Sequence, residues 1–452
     1  MTDSTDNEAH FTHAVAELGE KQPVVAACAI FNENGQKIIE KGTPINQGLQ
    51  ERMTQHKLSA PIEDCVSSSN TVTGKTLKAS AEKTLDEIPF FARMAPDAKT
   101  RSLLLNAIEA MPLPAPIAFQ LTIAHDVRPE IYSQLIRTAL IAAWLAKTPL
   151  LSRFDVNIAC AAGMLHDIGM LHVDPLLLQP EHTLNAAQHR QLYLHPLIST
   201  RLIERHHQYP KEVVRAVREH HENLDGSGYP RLLAGDAISP LGKLLSLAKV
   251  VAAMFSPERD APELRLSVLL RMNTHRYDST LTLQVIRQLQ LQADSLTAKL
   301  EHIETPVELL LSINEALKKW PDNLSKDPEL NAARRGELEL LGGQVEKVLR
   351  ALAQVGATSN QLAYLGSDTL DNSLLNEMTL ITREAGWQLR TVVRQTRNRW
   401  PAVPGETYPA ALQLWLDCAD AVITQIGGFE TQDKAGMTPP ETACTQPLTL
   451  DT

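Results

Sequence analysis

Met164-Leu165-His166-Asp167-Ile168-Gly169-Met170 places an imidazole and a carboxylate side by side at the end of an apolar helical run. A neutral imidazole offers one nitrogen lone pair and a carboxylate offers two oxygens, a mixed set that suits iron, manganese or zinc and can bridge two ions. More imidazoles follow. His195 opens a segment in Leu194-His195-Pro196-Leu197, and His220 and His221 lie in Glu219-His220-His221-Glu222-Asn223-Leu224-Asp225-Gly226-Ser227-Gly228-Tyr229-Pro230. Each piece alone has an ordinary explanation. A His-Asp couple can be a structural hydrogen-bonded pair, two histidines at a helix C-terminus are favoured by its dipole, and Asp225 to Pro230 has the residues a turn demands. Order and spacing are what set them apart.

The remaining histidines read as bystanders. His206 and His207 follow Arg205 ahead of Pro210, and His172, His182 and His189 come after the dyad, where surface placement is expected. His125-Asp126 echoes the dyad but stands just before Pro129, as a cap for the next helix would.

To bring such residues together the chain needs helices, and it has them. Ile136, Leu140, Ala143, Trp144 and Ala146 recur at helical spacing, as do Val213, Val214 and Val217, and Leu338, Leu341, Val345 and Val348. Strand signals are confined to the N-terminal part. There Pro23 to Phe31 is apolar, Asn32-Glu33-Asn34-Gly35 is a turn, and Lys37-Ile38-Ile39 returns as a strand, Asn-Gly supplying the positive φ angles of a tight hairpin. The expected class is mainly α. Residues 1–12 form a disordered start, 13–66 a small β-containing domain, and 67–115 a linker (Ser67 to Thr76) with a helical segment. Residues 116–295 form the helical domain with the histidines, opened by the prolines of Met111 to Pro116. A helical region over 298–427 and a flexible tail over 428–452 follow. Trp320, Trp387, Trp400 and Trp415 are expected to fill a core or an interface.

Composition narrows the functions. With 53 acidic and 43 basic side chains the formal charge is −10, so no basic field awaits duplex nucleic acid. Five scattered cysteines without a CxxC give no disulfide framework and fit a reducing cytoplasm. The polar, acidic start and the lack of a long apolar run argue against a signal peptide and a membrane span.

In order and spacing these blocks resemble the HD-GYP family of the HD phosphohydrolase superfamily, whose pattern runs HD-x-GK, HP-x-x-G, HHE-x-x-DG-x-GYP. The resemblance covers residues 116 to 295, and the last block matches at every fixed position. It implies a helical bundle holding two or three metal ions, usually iron or manganese, that hydrolyses the phosphodiester bonds of cyclic di-GMP. His166 and Asp167 fall on the catalytic dyad, and His166, Asp167, His195, His220 and His221 on metal ligands. Asp225, Gly226, Gly228, Tyr229 and Pro230 fall on a loop associated with substrate or with protein partners, diguanylate cyclase domains among them.

The departures sort by metal position. Where the family carries an upstream His this chain has Gln134, and where it carries a downstream Asp, in Ser246 to Ala253, it has Lys249. Met170 stands for the Lys of HD-x-GK, and Ser199 for the Gly after His195-Pro196. Asp167, His195, His220 and His221 can still gather one ion. The neighbouring position keeps His166, Asp167 and, one helical turn before Gln134, Glu130. Lys249 is expected to place its ammonium where the second ion would sit. The expectation is a cyclic di-GMP signalling protein with a partly lost dinuclear centre, weakly active or inactive and regulatory. The alternative is an active metal-dependent phosphodiesterase yielding pGpG or GMP. One divalent ion, iron or manganese before zinc, is the first expectation, with two and none left open. Cyclic di-GMP or a related nucleotide is the expected ligand.

Overall fold

Short polar side chains start several helices of the first unit. In the computed structural model Asp155 accepts from the backbone of Asn157, Asn185 and Gln188 form a reciprocal capping box, and Ser239 accepts from Gly242 N, each satisfying amides that the first turn leaves free. The structure describes residues 3–147, 155–179, 182, 184–257, 259–291, 300, 303–326, 330–364, 371–400 and 408–426. They divide into two units, the first ending at Ser256 and the second starting at Pro257.

The first unit opens with α1 (Asp3–Lys21), where a disordered start was expected over residues 1–12. Its polar residues hide an apolar stripe. Phe11, Ala14, Val15 and Leu18 recur at helical spacing and are fully or almost fully buried. β1 (Val24–Ala26) pairs antiparallel with β4 (Val66–Ser68), and β2 (Ile30–Phe31) with β3 (Lys37–Ile39). The apolar run of the expected hairpin is therefore shared between two small sheets. Of the turn residues only Gly35 adopts a positive φ, +76°, while the Asn32 side chain accepts from Asn34 N and Gln36 N. α2 (Gln47–Thr54) and α3 (Ile62–Cys65) fill the gap between the sheets' strands. The expected linker is pinned as well. Its first residues lie in β4, Val72 N donates to Thr122 Oγ1 at 2.8 Å in the core, and Thr73 caps α4 (Gly74–Glu87).

After α5 (Pro89–Met94) and α6 (Ala98–Glu109) come α7 (Ala115–Val127) and α8 (Pro129–Ala146). From Leu135 to Ala146 every residue of α8 is buried, as suits a helix enclosed on all sides. α9 (Val156–Leu165) crosses it at backbone contact, for a Cβ on Gly163 would stand 2.6 Å from Ala139 Cα. α10 (Ala186–Tyr193), α11 (His195–Glu204), α12 (Lys211–Glu219) and α13 (Pro240–Met254) complete the unit.

The second unit contains α14 (Pro262–Met272), α15 (Ser279–Ile286), α16 (Pro306–Lys318), α17 (Ala332–Gln354), α18 (Ser359–Leu362), α19 (Asn372–Arg399) and α20 (Ala410–Ile426). Leu264, Val268 and Met272 of α14 join a core with Ile313, Leu341, Ile381 and Trp415, which places α14 in the second unit. Trp320 meets Trp415 edge to face at 4.7 Å, and Trp400 lies under Arg334. The fold is mainly α. Among the described residues no helix is long and apolar enough to cross a membrane. The expected tail, 428–452, lies outside the described residues.

Candidate metal centre

His166 caps the C-terminus of α9, and Asp167 (φ −111°, ψ 15°) turns the chain into the 3-10 segment Ile168–His172. That turn lies hard against α11. A Cβ on Gly169 would stand 2.4 Å from the His195 carbonyl oxygen, and Gly169 N donates to Ser199 Oγ at 2.9 Å. Ser199, where the resemblance calls for glycine, thus locks the dyad turn to the helix that opens with His195. His220 is the C-cap of α12 and His221 follows it.

These three segments bring one oxygen and three nitrogens to a point. Asp167 Oδ1 lies 3.1 Å from His195 Nε2 and 3.1 Å from His220 Nε2, His195 Nε2 lies 3.3 Å from His220 Nε2, and His221 Nε2 lies 3.1 Å from His195 Nε2. The ligand atoms of these four residues all fall within 4.8 Å of one another. Two ligands each about 2.1 Å from one ion stand about 3.0 Å apart in octahedral and about 3.4 Å apart in tetrahedral coordination, so these edges fit a transition-metal ion. Asp167 Oδ1 is buried without a well-directed hydrogen bond, as a lone pair aimed at a shared centre would be, and His166 Nε2 is likewise buried without one.

Backbone carbonyls orient the rings. His166 Nδ1 is 2.8 Å from Gly163 O, His195 Nδ1 2.6 Å from Leu192 O, and His220 Nδ1 2.6 Å from Val217 O. A carbonyl only accepts, so Nδ1 carries the proton in each and Nε2 presents its lone pair inward. Burial pushes His220 down to about 3, although Asp167 pulls the other way, and the ring stays neutral.

The second oxygen faces another way, with Asp167 Oδ2 3.1 Å from His166 Nε2. Gln134 Nε2 donates to Lys249 O at 3.3 Å and its Oε1 accepts from Arg137 at 3.2 Å, which spends the amide on α13 and on its own helix. Lys249 Nζ points inward, 2.9 Å from His221 Nδ1 and 2.8 Å from Nε2. Burial pulls this ammonium down to about 8, opposed by Asp167. Glu130 is exposed in the first turn of α8 and does not join the cluster, and Met170 is half-buried in the dyad turn.

The Gly-Tyr-Pro segment is the outer wall of the cluster. Tyr229 stacks on His221 with ring centroids 4.2 Å apart and on Tyr193 at 4.7 Å, and Tyr229 and Pro230 are buried. Around them Leu224, Asp225, Gly226 and Ser227 are part-exposed and Arg231 is exposed. Asp225 Oδ1 accepts from Ser227 N at 3.1 Å, and Gly226 takes a φ of +78°. Glu222 closes the loop by accepting from Arg231 N at 2.7 Å and Leu233 N at 2.8 Å, while burial pushes its carboxyl up to about 7. Gly228 permits the close approach, since a Cβ there would lie 2.4 Å from both Glu222 Cα and His221 O. Gly228→Ala is expected to destabilise the first unit by about 1–3 kcal/mol through this overlap, read from the denaturant midpoint, and an unchanged midpoint would show that the loop yields freely.

Other residues depart from their expected places. His172 is buried and stacked on Phe11 at 4.2 Å, with burial pushing it down to about 3. His125 pairs with Asp126, whose carboxylate accepts from Gln22 at 3.0 Å; Arg128 caps α8, without a side-chain bond, so Asp126 is not its cap. Sequence reasoning also passed over Glu219, buried and bonded to Ser239 N at 2.8 Å and Arg215 Nε at 2.7 Å, which anchors the end of α12 just before His220. A carboxylate directly before the paired histidines was the available signal.

Residues 119–281 match the family model described as an HD domain. Over 143 residues the chain is 30% identical to a 3'3'-cGAMP-specific phosphodiesterase of Vibrio cholerae, covering 30% of this chain and 28% of that protein. Over 170 residues it is 33% identical to a cyclic di-GMP phosphodiesterase of Pseudomonas aeruginosa, covering 36% of this chain and 41% of that protein. A cyclic di-GMP phosphodiesterase response regulator of Xanthomonas campestris is 32% identical over 124 residues, covering 27% of this chain and 32% of that protein. The chain thus spans less than half the length of these relatives. With the HD, HP and HHE-to-GYP blocks in order and their side chains gathered at one point, the domain over residues 119–281 is an HD domain of the HD-GYP family.

Proposed function

We propose that this domain is a cyclic di-GMP signalling module whose two-ion centre is reduced to one ion, leaving it weakly active or inactive as a hydrolase and regulatory in role. What carries the reading is the contrast across Asp167. Its Oδ1 faces His195 and His220, while Oδ2 lies against His166, and where the family carries a further His and Asp this chain has Gln134, tied to the α13 backbone, and Lys249, a cation held against His221. An ammonium cannot ligate a metal ion, and a bonded carboxamide is a poor substitute for imidazole.

A bound divalent cation supplies positive charge to phosphoryl oxygens and makes hydroxide available from water near neutral pH. Asp167, His195, His220 and His221 would hold it, in a mixed nitrogen and oxygen set suited to iron or manganese. The chain's own residues do the rest. Gly163, Leu192 and Val217 carbonyls fix the rings of His166, His195 and His220, and Tyr229 covers His221 and excludes water from that side. Loss of one stabilising group typically costs about 10²–10³ in rate, enough to turn a hydrolase into a sensor of its former substrate. A protein partner, diguanylate cyclase domains included, would meet the loop at Asp225 to Ser227 and Arg231.

The second reading, an active phosphodiesterase, draws on the 3.1 Å approach of His166 Nε2 to Asp167 Oδ2, the remnant of a second ligand pair. Elemental analysis of the purified chain, beside turnover of cyclic di-GMP with added manganese or iron, separates the two. One ion and at most trace turnover are expected. Two ions with linear dinucleotide or GMP as product would overturn the proposal in favour of the active enzyme.

A further inference from the structure

Three of the four imidazoles around Asp167 rest their Nδ1 on a backbone carbonyl, and the fourth does not. For His221 the neighbour is Lys249 Nζ, 2.9 Å from Nδ1 and 2.8 Å from Nε2, so it sits across the ring between the two nitrogens. A carbonyl draws a proton to Nδ1 and frees Nε2 for a metal; an ammonium has only protons to give and competes for whatever lone pair the ring exposes. The same group carries a full positive charge. It stands one hydrogen-bond length from a nitrogen that an ion would touch, in a pocket with little water to screen the repulsion.

The neighbours of Lys249 on α13, Leu245, Ala248, Val250, Val251 and Ala252, are buried and apolar, and Tyr229 stacks on the His221 ring. We propose that Lys249 is an autoinhibitory cation, which takes the charge of the second metal position and, through His221, weakens the hold on the remaining ion. This rests on the metal reading above and deepens it. The site would be tuned for weak, exchangeable metal occupancy rather than permanent loading, so that the domain responds to metal supply or to a ligand that draws Lys249 away.

The test is calorimetric titration of the full chain with Mn²⁺, for the wild type, Lys249→Met, Lys249→Arg and His220→Ala. Lys249→Met keeps the length and removes the charge, and about a tenfold or greater gain in affinity is expected, because the ammonium stands one hydrogen-bond length from a nitrogen that would hold the ion. Lys249→Arg retains the charge and should bind as weakly as the wild type. Lys249→Gln serves as a second neutral variant should the methionine protein fail to fold by circular dichroism. If Lys249→Met and Lys249→Gln bind no tighter than the wild type while His220→Ala abolishes binding, the role of Lys249 is overturned and the metal site stands. If no protein in the set binds Mn²⁺, or His220→Ala binds as the wild type does, the metal reading falls and the inference falls with it.

Discussion

Replacing Gln134 with His and Lys249 with Asp in the same chain is expected to raise the metal content from one ion to two and to raise cyclic di-GMP turnover by about 10²–10³, the factor a single group stabilising the transition state commonly carries. The two positions are already neighbours, since the Gln134 amide reaches the Lys249 carbonyl at 3.3 Å. His166 Nε2 and Asp167 Oδ2, 3.1 Å apart, have the edge length of two ligands on one ion, and the pair lacks partners that can ligate. A new imidazole and a new carboxylate would supply them, and removing the ammonium would free His221 as well. Metal analysis and product chromatography read the two effects separately. A second ion without turnover would locate the remaining defect elsewhere, with Met170, where the family has a phosphate-holding lysine, the next position to restore. One ion only would mean that α8 and α13 do not present the new side chains to Asp167 Oδ2, and the account of the lost second position would fail.

The cluster was legible in the sequence because its parts are contiguous blocks. His166-Asp167, His195-Pro196 and His220-His221 each lie at a helix end, and a helix end can be read from a change of period and from the Gly and Pro that follow. Glu130 shows where this fails. One turn from Gln134 predicts a shared helix face, yet Glu130 lies in the exposed first turn, where the helix has not yet entered the core. α1 was missed for a related reason. Its composition is that of a disordered leader, and only the spacing of Phe11, Ala14, Val15 and Leu18 reveals what it covers. His172 followed from that error, because a histidine after the dyad is a surface residue until a helix from far upstream brings Phe11 onto it.

Asp167→Asn should abolish metal binding altogether, the largest single loss in the molecule. The amide matches the carboxylate in shape, so packing of the dyad turn against α11 is kept while the charge goes and one oxygen becomes a donor. His195 Nε2 and His220 Nε2, each 3.1 Å from Asp167 Oδ1, would lose the anion that their inward lone pairs share with an ion. Outer-shell partners typically cost about 10–100-fold in metal affinity, so a first ligand that is also the only anion of the set should cost at least about 1,000-fold. Thermal unfolding makes this visible without any catalytic assay. At a free metal concentration about 100 times the dissociation constant, binding to the folded state adds about 2.7 kcal/mol to the wild-type stability. The variant should gain none of it, and its unfolding curve should be the same with and without Mn²⁺. His166→Ala should keep most of the gain, because His166 touches Oδ2 and stands outside the four-residue group. An Asp167→Asn protein that still rises in Tm with Mn²⁺ would place the ion away from Asp167. The shared edges of about 3 Å among Asp167, His195 and His220 would then be hydrogen-bonding distances within an ordinary buried polar network.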